Sequence, residues 1–304
     1  MVSGYAKHAI VTVGLIFFMA APLCSADFDA REWGVLDLRD GEVGILGTLP
    51  PPSLKEHIVR APVIYFSTRD QKPFSLTVRF PNGHPVEDFP QAVSTGASLV
   101  WNDVVFASVS QAGSATRETP ACLRPLAGVL GQVGAAPLLV RGQTTRFLYY
   151  EGAVSLTPPL KAEWVGQRLR LTNISDQPIG PISVSTGYAF RFVRVDQGYA
   201  SLARLDSGKS AVLGLSPSQD AAAFPNLRQM GFPNDEAEAF DVCWRAAVIE
   251  PLRQHPWARV FYRLSAPTCE RVSSLEFDPP ARQVTRALFV IQALPPRPRP
   301  IPGN

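Results

Sequence analysis

Phe74-Ser-Leu-Thr-Val-Arg-Phe80 alternates apolar and polar residues and runs into Pro81-Asn82-Gly83. Successive side chains of a strand point to opposite faces, so this stretch predicts a strand with one buried face. The Pro-Asn-Gly cluster predicts the turn that ends it. The same grammar extends in both directions. Upstream, Ala61-Pro-Val-Ile-Tyr-Phe66 reads as a short buried strand. Gly34-Val-Leu-Asp-Leu38 and Glu42-Val-Gly-Ile-Leu46 flank Asp40-Gly41, a strong hairpin signal. Downstream, residues 97–106 read as one long strand or a strand pair. Further runs at 138–140, 146–151, 168–172, 182–184, 189–195 and 199–205 continue the pattern. Proline is scattered and abundant, 29 of 304 residues. Each internal proline costs a helix about 3 kcal/mol, so a mainly β chain is expected.

Evenly spaced short strands with intervening turns predict two β-sandwich units of Ig-like type plus a C-terminal helix-strand segment. The expected division is an N-terminal sandwich over 27–115, a linker over 116–136, and a second β domain over 137–294. The tail 295–304, rich in Pro and Arg, should be extended and solvent-exposed. One helix is expected near 234–249. Asp235 would cap it, with Glu238 completing a capping box. Ala237, Phe240, Trp244 and Val248 would form its apolar face, and Pro251 would close it.

Residues 1–26 have the order of a cleavable signal peptide: positive Lys7-His8, an apolar run to Leu23, then small Cys24-Ser25-Ala26. The run is shorter than the roughly 20 residues a membrane helix needs. A secreted or periplasmic mature chain beginning at about Asp27 is therefore expected, with no later membrane span. Net charge is +3 for the whole chain and falls by one when Lys7 leaves with the leader. No basic block with interleaved aromatics occurs, which argues against nucleic acid as a partner.

Loss of Cys24 leaves Cys122, Cys243 and Cys269. An oxidising compartment permits one pair, and Cys243 with Cys269 are nearest in sequence; three buried thiols are the alternative. None lies in a CxxC, and His57, His84 and His255 fall outside metal spacing, so neither metal nor cofactor is expected. Gly214-Leu-Ser-Pro-Ser218 lacks the second glycine of a nucleophile elbow and reads as a turn.

Four stretches carry a family resemblance: Arg31-Glu-Trp-Gly-Val35; Ala61-Pro-Val-Ile-Tyr-Phe66 with Val78-Arg-Phe-Pro-Asn-Gly83; Arg146-Phe-Leu-Tyr-Tyr-Glu-Gly152 with Leu169-Arg-Leu-Thr-Asn173; and Met230 to Trp244, which holds Glu-Ala-Glu-Ala-Phe-Asp-Val-Cys-Trp, with Arg259-Val-Phe-Tyr-Arg-Leu264. In these the chain resembles a family of uncharacterised exported bacterial proteins. It departs from the pattern at Ser265-Ala266-Pro267. The resemblance implies export and architecture and carries over no catalytic residue.

Two functions compete. The first is a non-catalytic binding or scaffold protein of the cell envelope or medium, whose partner is an envelope protein or glycan. The second is an extracellular hydrolase of glycan or peptide polymer, which would need two facing carboxylates. Ligand-binding candidates are the loop acids Glu87 and Asp88 and the aromatics Trp164 and Trp257, since flat rings stack on sugars and peptides. Trp33, Trp101 and Trp244 are expected in the core. Asp235, Glu236 and Glu238 have a sufficient structural cause at a helix start.

Overall fold

The computed structural model describes residues 26–38, 57–68, 72–108, 123–190, 193–218, 224–249 and 257–294. The chain is mainly β. An eight-stranded sheet runs in the order β13 (Val193–Leu202), β12 (Ile182–Phe190), β15 (Trp257–Arg263), β17 (Ala281–Ala293), β1 (Ala26–Leu38), β2 (His57–Thr68), β9 (Phe147–Val154), β4 (Gly83–Phe89). All its neighbours are antiparallel except β1 and β17, which pair in parallel from Asp29↔Gln283 to Leu38↔Gln292. A six-stranded sheet comprises β16 (Ser274–Asp278), β3 (Phe74–Arg79), β6 (Ser98–Phe106), β7 (Leu138–Val140) and β8 (Gln143–Thr145), with β5 (Val93–Thr95) also on β6. A three-stranded sheet holds β10 (Leu160–Val165), β11 (Arg168–Asn173) and β14 (Ser210–Leu213).

The large sheet is buried on both faces, so its central strands read as near-continuous apolar runs. On one face Trp33, Val35, Tyr65, Phe261 and Phe289 pack against α1 (Arg124–Gly131) and α2 (Asn234–Ile249). On the other, Leu36, Phe66, Tyr150, Tyr262 and Leu288 meet the two smaller sheets and α3 (Ala266–Val272). Trp33, Trp101 and Trp244 are all buried, as expected. Gly34 permits a close crossing within the large sheet. A Cβ there would stand 2.7 Å from the Pro62 Cα, and the β1–β2 register shifts at the same place.

Several expectations change. Strand pairing does not follow a division at 116–136, because β1, β2 and β4 share one sheet with β9, β12, β13, β15 and β17. Part of the expected linker is helix α1. The turn at Pro81-Asn82 occurs as expected and carries the chain from one sheet to another: β3 pairs with β6 and β16, whereas β4 pairs with β9. Residues 189–195 are not one strand but the facing ends of β12 and β13. Cys269 lies in helix α3. Helix α2 has the expected bounds, but Glu238 bonds Arg228 and Asp235 accepts from the Gly134 N–H.

The Cys243–Cys269 bridge is absent. Both thiols are free and buried. Cys243 belongs to the helix-side core and Cys269 to the sheet-side core, so the large sheet separates them. Burial pushes the Cys243 thiol up to about 12 and that of Cys269 up to about 11, which makes both poor nucleophiles. The leader, the 42–46 strand, Cys122, His255, Pro251 and the tail lie outside the described residues. No helix among the described residues is long and apolar enough to cross a membrane.

Candidate functional site

Adjacent residues of β1 face opposite ways, and each enters a polar cluster. Glu32 is fully buried on the sheet side, where it accepts the Tyr150 hydroxyl on Oε1 and Arg286 Nε, at 2.5 Å, on Oε2. Tyr150 Oη also lies 2.9 Å from Ser273 Oγ. Arg286 reaches the Ser273 carbonyl at 2.8 Å and Glu270 at 2.7 Å. Burial lifts the Tyr150 phenol well above its ordinary value, and the Glu32 charge adds to this. Burial opposes the Arg286 cation, but Glu32 and its neighbours outweigh it and hold the guanidinium protonated. Each ionised group has a partner, so the cluster fastens α3 to the sheet; it offers no open coordination place for a substrate.

The second cluster lies under α2. Arg31 Nε donates to Glu236 Oε1 at 2.7 Å and Nη1 to Ser67 Oγ at 2.9 Å. Glu236 Oε2 is buried without a hydrogen-bond partner among the described residues, as are the indole N–H groups of Trp33 and Trp244. Burial, more than the opposing pull of Arg31, lifts the Glu236 carboxyl above its usual range.

A more open arrangement occurs where the six-stranded sheet is interrupted. On one side β6 pairs with β5 through Ser98, Leu99 and Val100, then with β7 through Val105 and Phe106. Between them Trp101–Val104 has no strand partner on that side among the described residues. The cause is local. From Trp101 to Val104 is three steps along β6 against two along β3, from Leu76 to Phe74, so one extra residue bulges. Asp103 takes φ 53° there, a region Asp tolerates better than most residues. Across the gap, Arg141 (φ 50°) and Gly142 (φ 83°) form the tight turn between β7 and β8. The resulting groove has a volume of about 440 Å³. Two cross-strand pairs flank it, Val93 with Val100 and Leu139 with Val105. Asp103 and Arg141 are exposed on its rim.

Of the four ligand-binding candidates, Asp88 is coupled to this groove through the charge of Arg141. Its Oδ2 accepts the Ala92 N–H at 2.5 Å. Burial lifts its carboxyl, and the Ala92 N–H and the Arg141 charge pull the other way. Glu87 is the preceding residue of edge strand β4, opposite Glu151; burial and then the Asp88 charge lift its carboxyl. Trp164 is on β10 and packs, partly exposed, against the core instead of standing out as a platform. Trp257 opens strand β15 opposite Gly187. The structure does not bring these four together. The helix-start acid Glu236 is committed to Arg31, away from Glu87 and Asp88. No group of three or more His, Cys, Asp and Glu side chains suited to a metal occurs among the described residues.

No protein-family model and no curated protein matches the sequence. Among solved structures the chain is similar to the yeast delta-COP-I mu-homology domain, with 7% identity over 88% of this chain and 95% of that one, at a TM-score of 0.33. The same domain complexed with a Dsl1 WxWxV peptide gives 8% identity over the same shares and a TM-score of 0.31. Likeness at this level carries no argument about fold or function.

Proposed function

We propose that this chain is an exported, non-catalytic binding protein of the cell envelope or medium, and that it engages a polypeptide partner at the interrupted edge of β6. The observation that carries this reading is the gap itself. Backbone N–H and C=O groups need partners, and an unpaired strand edge beside partly exposed apolar side chains is a means of taking up another chain. The gap spans four residues, about 13 Å at strand spacing. Strands β5 and β7 close both of its ends, which suits a chain end or protruding turn better than a strand running through. The leader and the family resemblance support export. A mature chain starting at Asp27 would keep β1 whole but for its first residue, and would keep the Asp27 and Asp29 contacts of Arg282.

Expression of the full chain in a Gram-negative host, followed by N-terminal sequencing, tests export; a cytoplasmic chain retaining Met1 would refute it. For binding, immobilised residues 27–304 are challenged with envelope extract beside a Leu139→Arg variant, whose exposed position leaves the core intact. Retention of a polypeptide by the wild type and its loss in the variant is expected. Turnover of a glycan or peptide panel, with identical retention by both proteins, would overturn the reading.

A further inference from the structure

A second groove, of about 410 Å³, is lined by other residues and has a different chemical character. Its walls come from three connections: the Pro178–Pro181 segment before β12, Ala203 and Arg204 after β13, and Arg263 to Ala266 between β15 and α3. The Ile179↔Leu205 bridge holds the first two together. Gly180 is required there, because a Cβ would meet the Ala203 carbonyl oxygen at 2.3 Å and its φ of 157° disfavours other residues. The groove is therefore a fixed feature of the fold.

Its charge is one-sided. Arg204 and Arg263 line it, and no carboxylate does among the described residues. Arg263 is half-buried, donates one bond to the Arg286 carbonyl at 2.9 Å, and makes no ion pair among the described residues. A guanidinium has five N–H donors in a planar fork, so most of its capacity is uncommitted. Arg204 is exposed and, among the described residues, pairs only with exposed Asp206, a contact of the kind that contributes little. Ser265 Oγ adds a hydroxyl, tied to Thr268 Oγ1 at 2.8 Å, and Arg271 bonds that same Thr268 oxygen. The remaining wall is apolar, chiefly Pro178, Pro181 and Ala266.

We infer that this groove binds a phosphate-type oxyanion, with Arg263 and Arg204 as its charged clamp and Ser265 as an added donor. Two arginines among the residues of one groove, with no carboxylate beside them, favour a multiply charged tetrahedral group over a single carboxylate, and arginine forks match such oxygens in pairs. The apolar wall suits a phosphate that carries an organic body. The same chemistry is presented by free phosphate and by a phospholipid headgroup, and the test separates them.

Residues 27–304 are titrated calorimetrically with inorganic phosphate at fixed ionic strength. In parallel they are sedimented with phosphatidylglycerol vesicles, using phosphatidylcholine vesicles as control. Saturable binding that sulfate displaces is expected, weakened about tenfold in Arg263→Gln and in Arg204→Glu, and partly restored in Arg263→Lys. Binding to phosphate without vesicle capture assigns a free ion or small ester. Capture by phosphatidylglycerol alone, lost in the same variants, assigns the lipid. Equal behaviour of wild type and variants in both assays overturns the inference. Should Arg263→Gln fail to fold, the exposed Arg204→Glu variant decides alone.

Discussion

Arg31 and Glu32 are consecutive on β1, yet they enter opposite sides of the large sheet and meet different fates. Glu32 joins a cluster in which the hydroxyls of Tyr150 and Ser273 and the guanidinium of Arg286 satisfy one another. Arg31 reaches Glu236, whose second oxygen has no partner among the described residues, beside two indole N–H groups in the same condition. The sheet side is closed by strands and α3, and its polar groups are matched pair by pair. The helix side is closed by packing of apolar faces, which leaves polar atoms to fit as they can. Charge burial is thus a fastening on one face and a tolerated cost on the other.

Substitutions can break this contrast. The largest effect is expected from Glu32→Ala, which breaks the buried pair with Arg286 and leaves that guanidinium only the exposed Glu270 as a carboxylate; removing one partner of a buried pair costs about 3–5 kcal/mol. Urea unfolding of residues 27–304 measures it. Glu236→Ala is expected to cost less, about 1–3 kcal/mol, because Arg31 keeps Ser67 and its side chain is 12% exposed. Equal losses at the two positions would remove the distinction between the faces.

A smaller effect concerns pH. Burial lifts the Glu236 carboxyl, so the native state holds that proton more tightly than the unfolded chain. This group's contribution to stability is therefore most favourable below the ordinary carboxylate range and falls as pH rises through the lifted native value. Glu236→Gln is expected to flatten that part of the profile. Urea midpoints from about pH 4 upward check it, and an unchanged slope assigns the titration to another group. The smallest effect is expected from reductant. Both described thiols are free, on opposite faces of the sheet, so the melting temperature should be the same with and without dithiothreitol. A reductant-sensitive melt would contradict the placement of Cys243 and Cys269.

Periodicity made the strands legible, because burial of one face leaves a period-two record in residues such as Leu76 and Val78. Partnership was not legible. Alternation says which way Phe74–Arg79 faces but not that β3 and β4 diverge into different sheets. Sequence distance misled in the same way for Cys243 and Cys269, since proximity along the chain carries no information about sheet face. Helix α3 did leave a sign, Pro267 at a helix start with Ser265 before it. At the grooves, Asn102-Asp103 within an apolar run and Arg141-Gly142 after one were readable as a bulge and a turn. That they face one another depends on long-range pairing. The Glu32–Arg286 contact spans 254 residues and leaves no local mark.

The parallel contact of β1 with β17 sets a condition on assembly. The first described strand of the chain takes its neighbour from the last, with β2 on its other side. A growing or emerging chain therefore holds β1 as an open edge until residues 281–293 arrive, and contacts of such separation are slow to form. The large sheet cannot be completed piecemeal from the N-terminus. Truncation ahead of β17 would remove the partner of a central strand, where loss of a terminal segment usually costs only an edge.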